Sequence, residues 1–304
     1  MNLNYIARNH KINNHINYSQ ASRKTNISNG FPNLKKPYDQ FKHLKVMNKD
    51  LIENKSKKII DIIKTRSINY NHKIAILIPT SNKDKPWNKA EDTYLYNYTI
   101  KTLLETTNKE YTIIFYIGID TDDKIWLKRE NVATIMKLRE DRKNIYFKFY
   151  KMSNIEKGHV TQMWNRLFNC AYQDKCDYYL QCGDDIIFST KGWLDDCIRA
   201  QKLHDNIGVT GMIDKMNCFI LTQSFVSYKH MQIFGFYFPP TIKNWFCDDW
   251  INTVYYSRFY FPLINHFCYN NGGKPRYPPV SPKKDYLGKL IKDGKNRLFA
   301  YLTK

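Results

Sequence analysis

The stretch Tyr178-Tyr179-Leu180-Gln181-Cys182-Gly183-Asp184-Asp185-Ile186-Ile187 (YYLQCGDDII) sets a short apolar run directly before a glycine and two adjacent acids. An apolar run of this length, bounded by a turn signal, reads as a buried strand. Two neighbouring acids at such a strand end repel each other and are costly to bury unless a cation or hydrogen-bond donors compensate them. In open parallel sheets ligands gather beyond the carboxyl ends of the strands. The fold therefore turns on whether other strands lie beside this one.

Four other runs of strand length flank it: Ile74–Pro79 (IAILIP), Thr112–Ile119 (TIIFYIGI), Ile145–Tyr150 (IYFKFY) and Ile207–Ile213 (IGVTGMI). Helix-like segments fall between them at about 90–107, 123–140, 159–173 and 192–204. This alternation predicts an α/β domain with a mainly parallel central sheet and helices on both faces. The nearly continuous apolar strands agree with burial on both sides. Beyond residue 214 the sequence turns aromatic and Pro-punctuated, and a less regular C-terminal part is expected.

The 304 residues carry 48 Lys plus Arg against 28 Asp plus Glu, a formal charge of +20. Residues 1–73 hold 15 basic against 4 acidic residues and residues 274–304 hold 9 against 2, which leaves 24 against 22 for 74–273. The basicity thus lies outside a nearly neutral body, unlike a uniformly basic nucleic-acid-binding domain. Three segments follow: a basic Asn/Lys-rich arm at 1–70 with a helix at 47–66, a domain at 71–277 and a basic tail at 278–304. The arm's composition suits disorder. Seven cysteines without zinc-like spacing read as reduced thiols. No apolar run reaches the roughly 18–20 residues of a membrane span, and no signal-like segment opens the chain, so a soluble cytoplasmic protein is expected.

Three strand ends deliver polar groups to one edge. Pro79-Thr80-Ser81-Asn82 follows the first, Asp120-Thr121-Asp122-Asp123 the second and Gly183-Asp184-Asp185 the fourth. An acid after a strand is also an ordinary turn residue or helix cap, a reading that suits Asp122 and Asp123 better than Asp184 and Asp185.

The order IAILIPTSN, YIGID, a helix with Asn165-Arg166, YYLQCGDDI followed by Gly192-Trp193, and later NWFCDDWI resembles the glycosyltransferases of the GT-A fold, most nearly the inverting family 2 group and its viral relatives. The resemblance covers about residues 73–275. It implies a nucleotide-binding half with Thr80 against the nucleotide and Asp120 on the base; Asp122 is taken with them on the donor side, and Arg166 on its helix reaches a phosphate or lies on a solvated face. Asp184 and Asp185 then correspond to the DxD-type acids that hold ribose and metal, although Cys182 stands where the common pattern has its first acid. The implied cofactor is Mn²⁺ or Mg²⁺, bound through one or two carboxylates and phosphate oxygens, which suits the charge of a diphosphate leaving group. The resemblance makes His266 a further metal ligand, which would favour manganese, whereas a lone His among aromatic residues also reads as a packed or surface side chain.

The second acidic pair, Asp248-Asp249, resembles the family's acceptor-side motif at the start of a helix. Asp249 would be the general base and Asp248 its orienting partner, with Trp245, Phe246 and Trp250 raising the pair's proton affinity. An acidic first turn favoured by the helix dipole explains the same residues without catalysis. Gly272-Gly273 and the following Lys274-Pro275-Arg276-Tyr277 read as a lid with cations for the diphosphate, or as a linker into the tail. The expected partners are a nucleotide-sugar donor, a UDP-sugar first among them, and a glycan, protein or small-molecule hydroxyl acceptor, in an enzyme of the host-cell cytoplasm if the viral likeness holds. The competing readings are a nucleic-acid or anionic-surface binder with an inert α/β body and a metal-dependent nucleotidyltransferase. The first lacks aromatic residues interleaved with its basic ones, and the second lacks a Gly-rich loop after the first strand.

Overall fold

In a computed structural model, residues 69–140 and 142–304 are described, together with Lys57, Asp61 and Ile62, which are helical. The remainder of the 1–70 arm and of the 47–66 helix lies outside the described residues. The first half is β1 (Lys73–Thr80), a π turn (Leu95–Ile100) leading into α1 (Lys101–Thr106), β2 (Thr112–Ile119), α2 (Arg129–Met136), β3 (Ile145–Lys151), α3 (Val160–Gln173) and β4 (Tyr178–Gln181). The second half is β5 (Ile186–Phe188), α4 (Trp193–Leu203), β6 (Val209–Asp214), β7 (Phe225–Ser227), α5 (Lys229–Phe234), α6 (Cys247–Tyr255), β8 (Tyr260–Asn270) and α7 (Lys284–Leu302).

All eight strands form one mixed sheet in the order β3-β2-β1-β4-β7-β6-β8-β5. β1 pairs in parallel with β2 and β4, and β2 with β3, as the strand–helix alternation predicts. β7 is antiparallel to both β4 and β6, so β6 and its parallel neighbour β8 run the same way as β1. The carboxyl ends of β1, β2, β4, β6 and β8 therefore share one edge. Residues 74–78 of β1 and 113–117 of β2 are buried with scarcely a break, so these strands are covered on both faces.

The C-terminal third is more regular than expected. β8 is the longest strand, and the 278–304 segment is not a tail: α7 buries Leu287, Ile291 and Leu298 against the domain. Gly294 lets it approach closely, since a Cβ there would meet Val254 Cγ2 at 2.7 Å, and Trp250 Nε1 donates to the Leu290 carbonyl at 3.0 Å. The lysines face outward from this docked stripe, which is why a charge count alone reads the segment as solvated.

His230 of α5 is locked in the aromatic core beneath. Its Nε2 faces the Tyr237 carbonyl at 3.0 Å and so must carry the proton, which leaves Nδ1 to accept from Tyr255 O–H at 2.8 Å. Burial pushes its pKa down to about 4. Between its unfolded value of about 6.5 and that folded value the native state binds fewer protons than the unfolded one, so stability falls as pH drops through the window, by about 3 kcal/mol in all. Denaturant titrations at pH 7 and pH 4 should show this loss in the wild type and a smaller one in His230→Gln. Equal losses in the two proteins would remove His230 as the cause.

Candidate functional site

The edge shared by the parallel strands is where the polar residues collect. Thr80, the last residue of β1, donates its hydroxyl to Asp184 Oδ2 at 2.5 Å. Asp120 directly follows β2 and is buried, as is Asp184, whose residue is 1% exposed. The turn that carries the acidic pair is stapled from a helix: Thr99 Oγ1 donates to the Gly183 carbonyl at 3.2 Å and accepts from Ile186 N–H at 2.9 Å. Gly183 N–H in turn donates to Gln223 Oε1 at 3.2 Å. Nothing in the sequence marks Thr99 or Gln223 as supports of Asp184, because both are brought in by the sheet topology.

After β8 the chain returns across this edge as a strap, residues 272–280. Arg276 grips Asp184 with both terminal nitrogens, donates to the Ser81 carbonyl at 2.7 Å and stands 3.7 Å from Asp185 Oδ2. Tyr277 O–H donates to Asp120. Lys83 Nζ donates to the Arg276 carbonyl at 3.0 Å and lies 4.8 Å from the centre of the Tyr277 ring. Both ends of the strap are held. At one end Gly272 lies so close to Asp185 that a Cβ would overlap its Oδ2, and at the other Asn244 donates to the Pro278 carbonyl at 3.0 Å and accepts from Val280 N–H at 2.8 Å.

The electrostatics follow from this crowding. Burial, reinforced by the Asp184 charge and partly offset by Arg276, pushes Asp185 up to about 6. Burial works against the Arg276 charge, yet the neighbouring carboxylates outweigh it and hold the guanidinium protonated. Burial and then the bond to Asp120 push Tyr277 up to about 12. Cys182 is fully buried, and burial together with the Asp185 and Asp184 charges drives its thiol well upward, so it stands as a neutral thiol.

Other residues singled out in the sequence lie elsewhere. Asp122 is exposed and pairs with Lys157, whose hydrogen bond holds its carboxyl below the usual range, whereas Asp123 accepts Ile125 and Trp126 N–H as an ordinary turn cap. Arg166 is exposed on α3 and donates to the Ser153 carbonyl at 3.1 Å. His266 is not brought to the acidic pair. Asn271 N–H donates to the Asp185 carbonyl and Asn270 pairs with Ile186, but His266 lies farther down β8, beside Thr190, with Nε2 2.8 Å from Asp196 Oδ2. His266 lies in the stretch of β8 where its register against β6 shifts between Leu263 and Phe267, which simple alternation along the sequence does not foresee.

Asp248 and Asp249 open α6, as expected. Phe246 before them has φ 70°, an unusual left-handed conformation for a bulky residue and of the kind that gathers at functional sites. Asp248 Oδ1 accepts Asp249 N–H at 3.1 Å, and burial raises the Asp248 carboxyl. Asn244 joins this helix start to the strap and to α3, donating to the Gly158 carbonyl at 3.2 Å as well as to Pro278. Gly158 itself has φ 80° and packs under Tyr277, where a Cβ would meet the ring at 3.0 Å.

The donor set suits a hard divalent cation in kind, since Asp184 and Asp185 offer adjacent carboxylate oxygens. Among the described residues no group of three or more His, Cys, Asp or Glu could form a cage made wholly by protein, so such an ion would complete its shell with phosphate or water. No helix among the described residues is long and apolar enough to cross a membrane. No protein-family model matches the chain, and no curated protein sequence matches it.

Proposed function

We propose that the chain is a GT-A-like glycosyltransferase that moves a sugar from a nucleotide-sugar donor, a UDP-sugar first among candidates, to a hydroxyl acceptor on a glycan, protein or small molecule, with inversion. The observation that carries this reading is the convergence of Thr80, Asp120 and Asp184-Asp185 from three parallel strand ends on one edge, with cationic and aromatic groups of the strap laid over them. Asp120 and Thr80 hold the nucleoside side of the donor, and Asp184 and Asp185 would hold Mn²⁺ or Mg²⁺ beside the diphosphate. When bound, that ion would neutralise the leaving diphosphate. Asp249 draws the proton from the acceptor hydroxyl as it attacks the anomeric carbon. Asp248, tied to the Asp249 backbone, sets the orientation of that base. Asp122, Arg166 and His266 have no part in this reading, given their partners Lys157, Ser153 and Asp196.

The test is a screen of nucleotide sugars for hydrolysis and transfer, with Mn²⁺ and with EDTA, on the wild type and on Asp184→Asn/Asp185→Asn. At least one donor should be consumed with metal by the wild type alone. If no donor is bound or consumed, and the double variant is indistinguishable from the wild type, the transferase reading fails.

A further inference from the structure

Three groups, two from the strap and one from the loop after β1, lie over the strand edge and are turned inward. Arg276 meets Asp184 and approaches Asp185, its neighbour Tyr277 meets Asp120, and Lys83 reaches up from the β1 loop to the Arg276 carbonyl. A guanidinium spanning both oxygens of one carboxylate, with a second carboxylate 3.7 Å away, supplies the positive charge that two adjacent buried acids need. It also occupies the oxygens through which those acids would bind a divalent ion. Thr80 takes a further share of Asp184 Oδ2. The ion and Arg276 therefore compete for one seat.

The strap is built so that this seat can be vacated without unfolding the domain. Its ends are fixed by Gly272 against Asp185 and by Asn244 against Pro278 and Val280, while Gly273 between them has φ 71° and open space around it. Lys274 and Pro275 are exposed, so a rotation about residues 273–275 gives up burial at Arg276 and its neighbour Tyr277 alone.

Resting on the transferase reading for the identity of the ion, we propose that Arg276 is an exchangeable internal cation: it neutralises Asp184-Asp185 while the donor site is empty, and a divalent metal entering with the nucleotide displaces it. An occupied plug lowers the apparent affinity for its competitor by the fraction of molecules in which the seat is free. The metal alone should thus bind the wild type weakly, and loss of the plug should strengthen binding without any new ligand.

The experiment is Mn²⁺ binding to the full chain by electron paramagnetic resonance, without nucleotide, for wild type, Arg276→Ala and Arg276→Lys. The alanine variant should bind Mn²⁺ at least tenfold more tightly than the wild type, with lysine in between because it keeps the charge but cannot span both oxygens. Adding Asp184→Asn/Asp185→Asn to Arg276→Ala should remove the gain. A second readout needs no substitution: Mn²⁺ should speed tryptic cleavage of the wild type at the Arg276–Tyr277 bond relative to EDTA. Affinities equal within twofold, a gain that survives loss of both acids, or a cleavage rate indifferent to Mn²⁺ each overturn the exchange. If donors are consumed but Mn²⁺ affinity is unchanged in Arg276→Ala, the exchange falls and the transferase stands. If the affinity gain appears but no donor is consumed, the transferase falls and the exchange stands.

Discussion

Asp249→Asn should lower sugar transfer by about a thousandfold while nucleoside diphosphate affinity stays within about twofold. The substitution keeps the shape of the side chain in the first turn of α6 and removes only its ability to accept a proton. A general base acts in the transition state, so its loss falls on turnover and leaves ground-state binding of the donor alone. Asp248→Asn should cost much less, because an amide oxygen can still accept the Asp249 N–H that Asp248 Oδ1 accepts at 3.1 Å. Initial rates at saturating donor, paired with calorimetric titration of UDP, separate the two effects. A parallel fall in rate and affinity for Asp249→Asn would assign that residue to the structure of the helix start, and a larger fall for Asp248→Asn would move the base to its neighbour, whose carboxyl burial already raises.

The parts of the molecule that sequence made legible are those in which local pattern and burial agree. β1, β2, β4 and β6 announce themselves as apolar runs because they are buried on both faces, β3 at the sheet edge shows as an aromatic run, and the acids at the ends of β2 and β4 stand out against that background. β7 and β5 are three residues each, too short for a period to show, and β8 mixes Pro262, Asn265 and His266 with its apolar residues. The stripe of Leu287, Ile291 and Leu298 that docks α7 was open to a search for period but was hidden in a count of charge. The site divides in the same way. The placing of Asp120, Asp184, Thr80 and the 272–277 strap on one edge is legible from chain order, since each sits where a strand ends. His266 and Arg166 stand apart from the acidic edge because which way a strand or helix faces decides what a side chain meets, here Asp196, 70 residues from His266, and the Ser153 carbonyl in the loop before the helix of Arg166. Asn244, which ties the strap to α6 and α3, carries no signal of its own.

The ion pair beneath the strap should also be visible as stability, independently of any chemistry. Asp184→Ala leaves the Arg276 guanidinium, 16% exposed, with the Ser81 carbonyl and a carboxylate 3.7 Å away in place of a two-point grip. Removing one partner of a buried pair typically costs about 3–5 kcal/mol, because the survivor keeps its desolvation penalty without its compensation. The nearby Asp185 softens this, so a loss of about 3 kcal/mol is expected, or a fall in Tm of about 6–12 °C for a domain of this size. Asp184→Leu/Arg276→Met, which takes away both charges and refills the space with apolar groups, should recover most of that loss, whereas two independent contributions would add. The comparison belongs at pH 7 in EDTA, where no metal can stand in for the guanidinium. If Asp184→Ala costs less than about 1 kcal/mol, the strap is not latched in solution, and the seat contested by Arg276 and the metal is already open. If instead the double variant is as unstable as the single one, the stabilisation comes from packing of the strap rather than from its charge. The exchange of cations would then lose the electrostatic basis that makes one ion a substitute for the other.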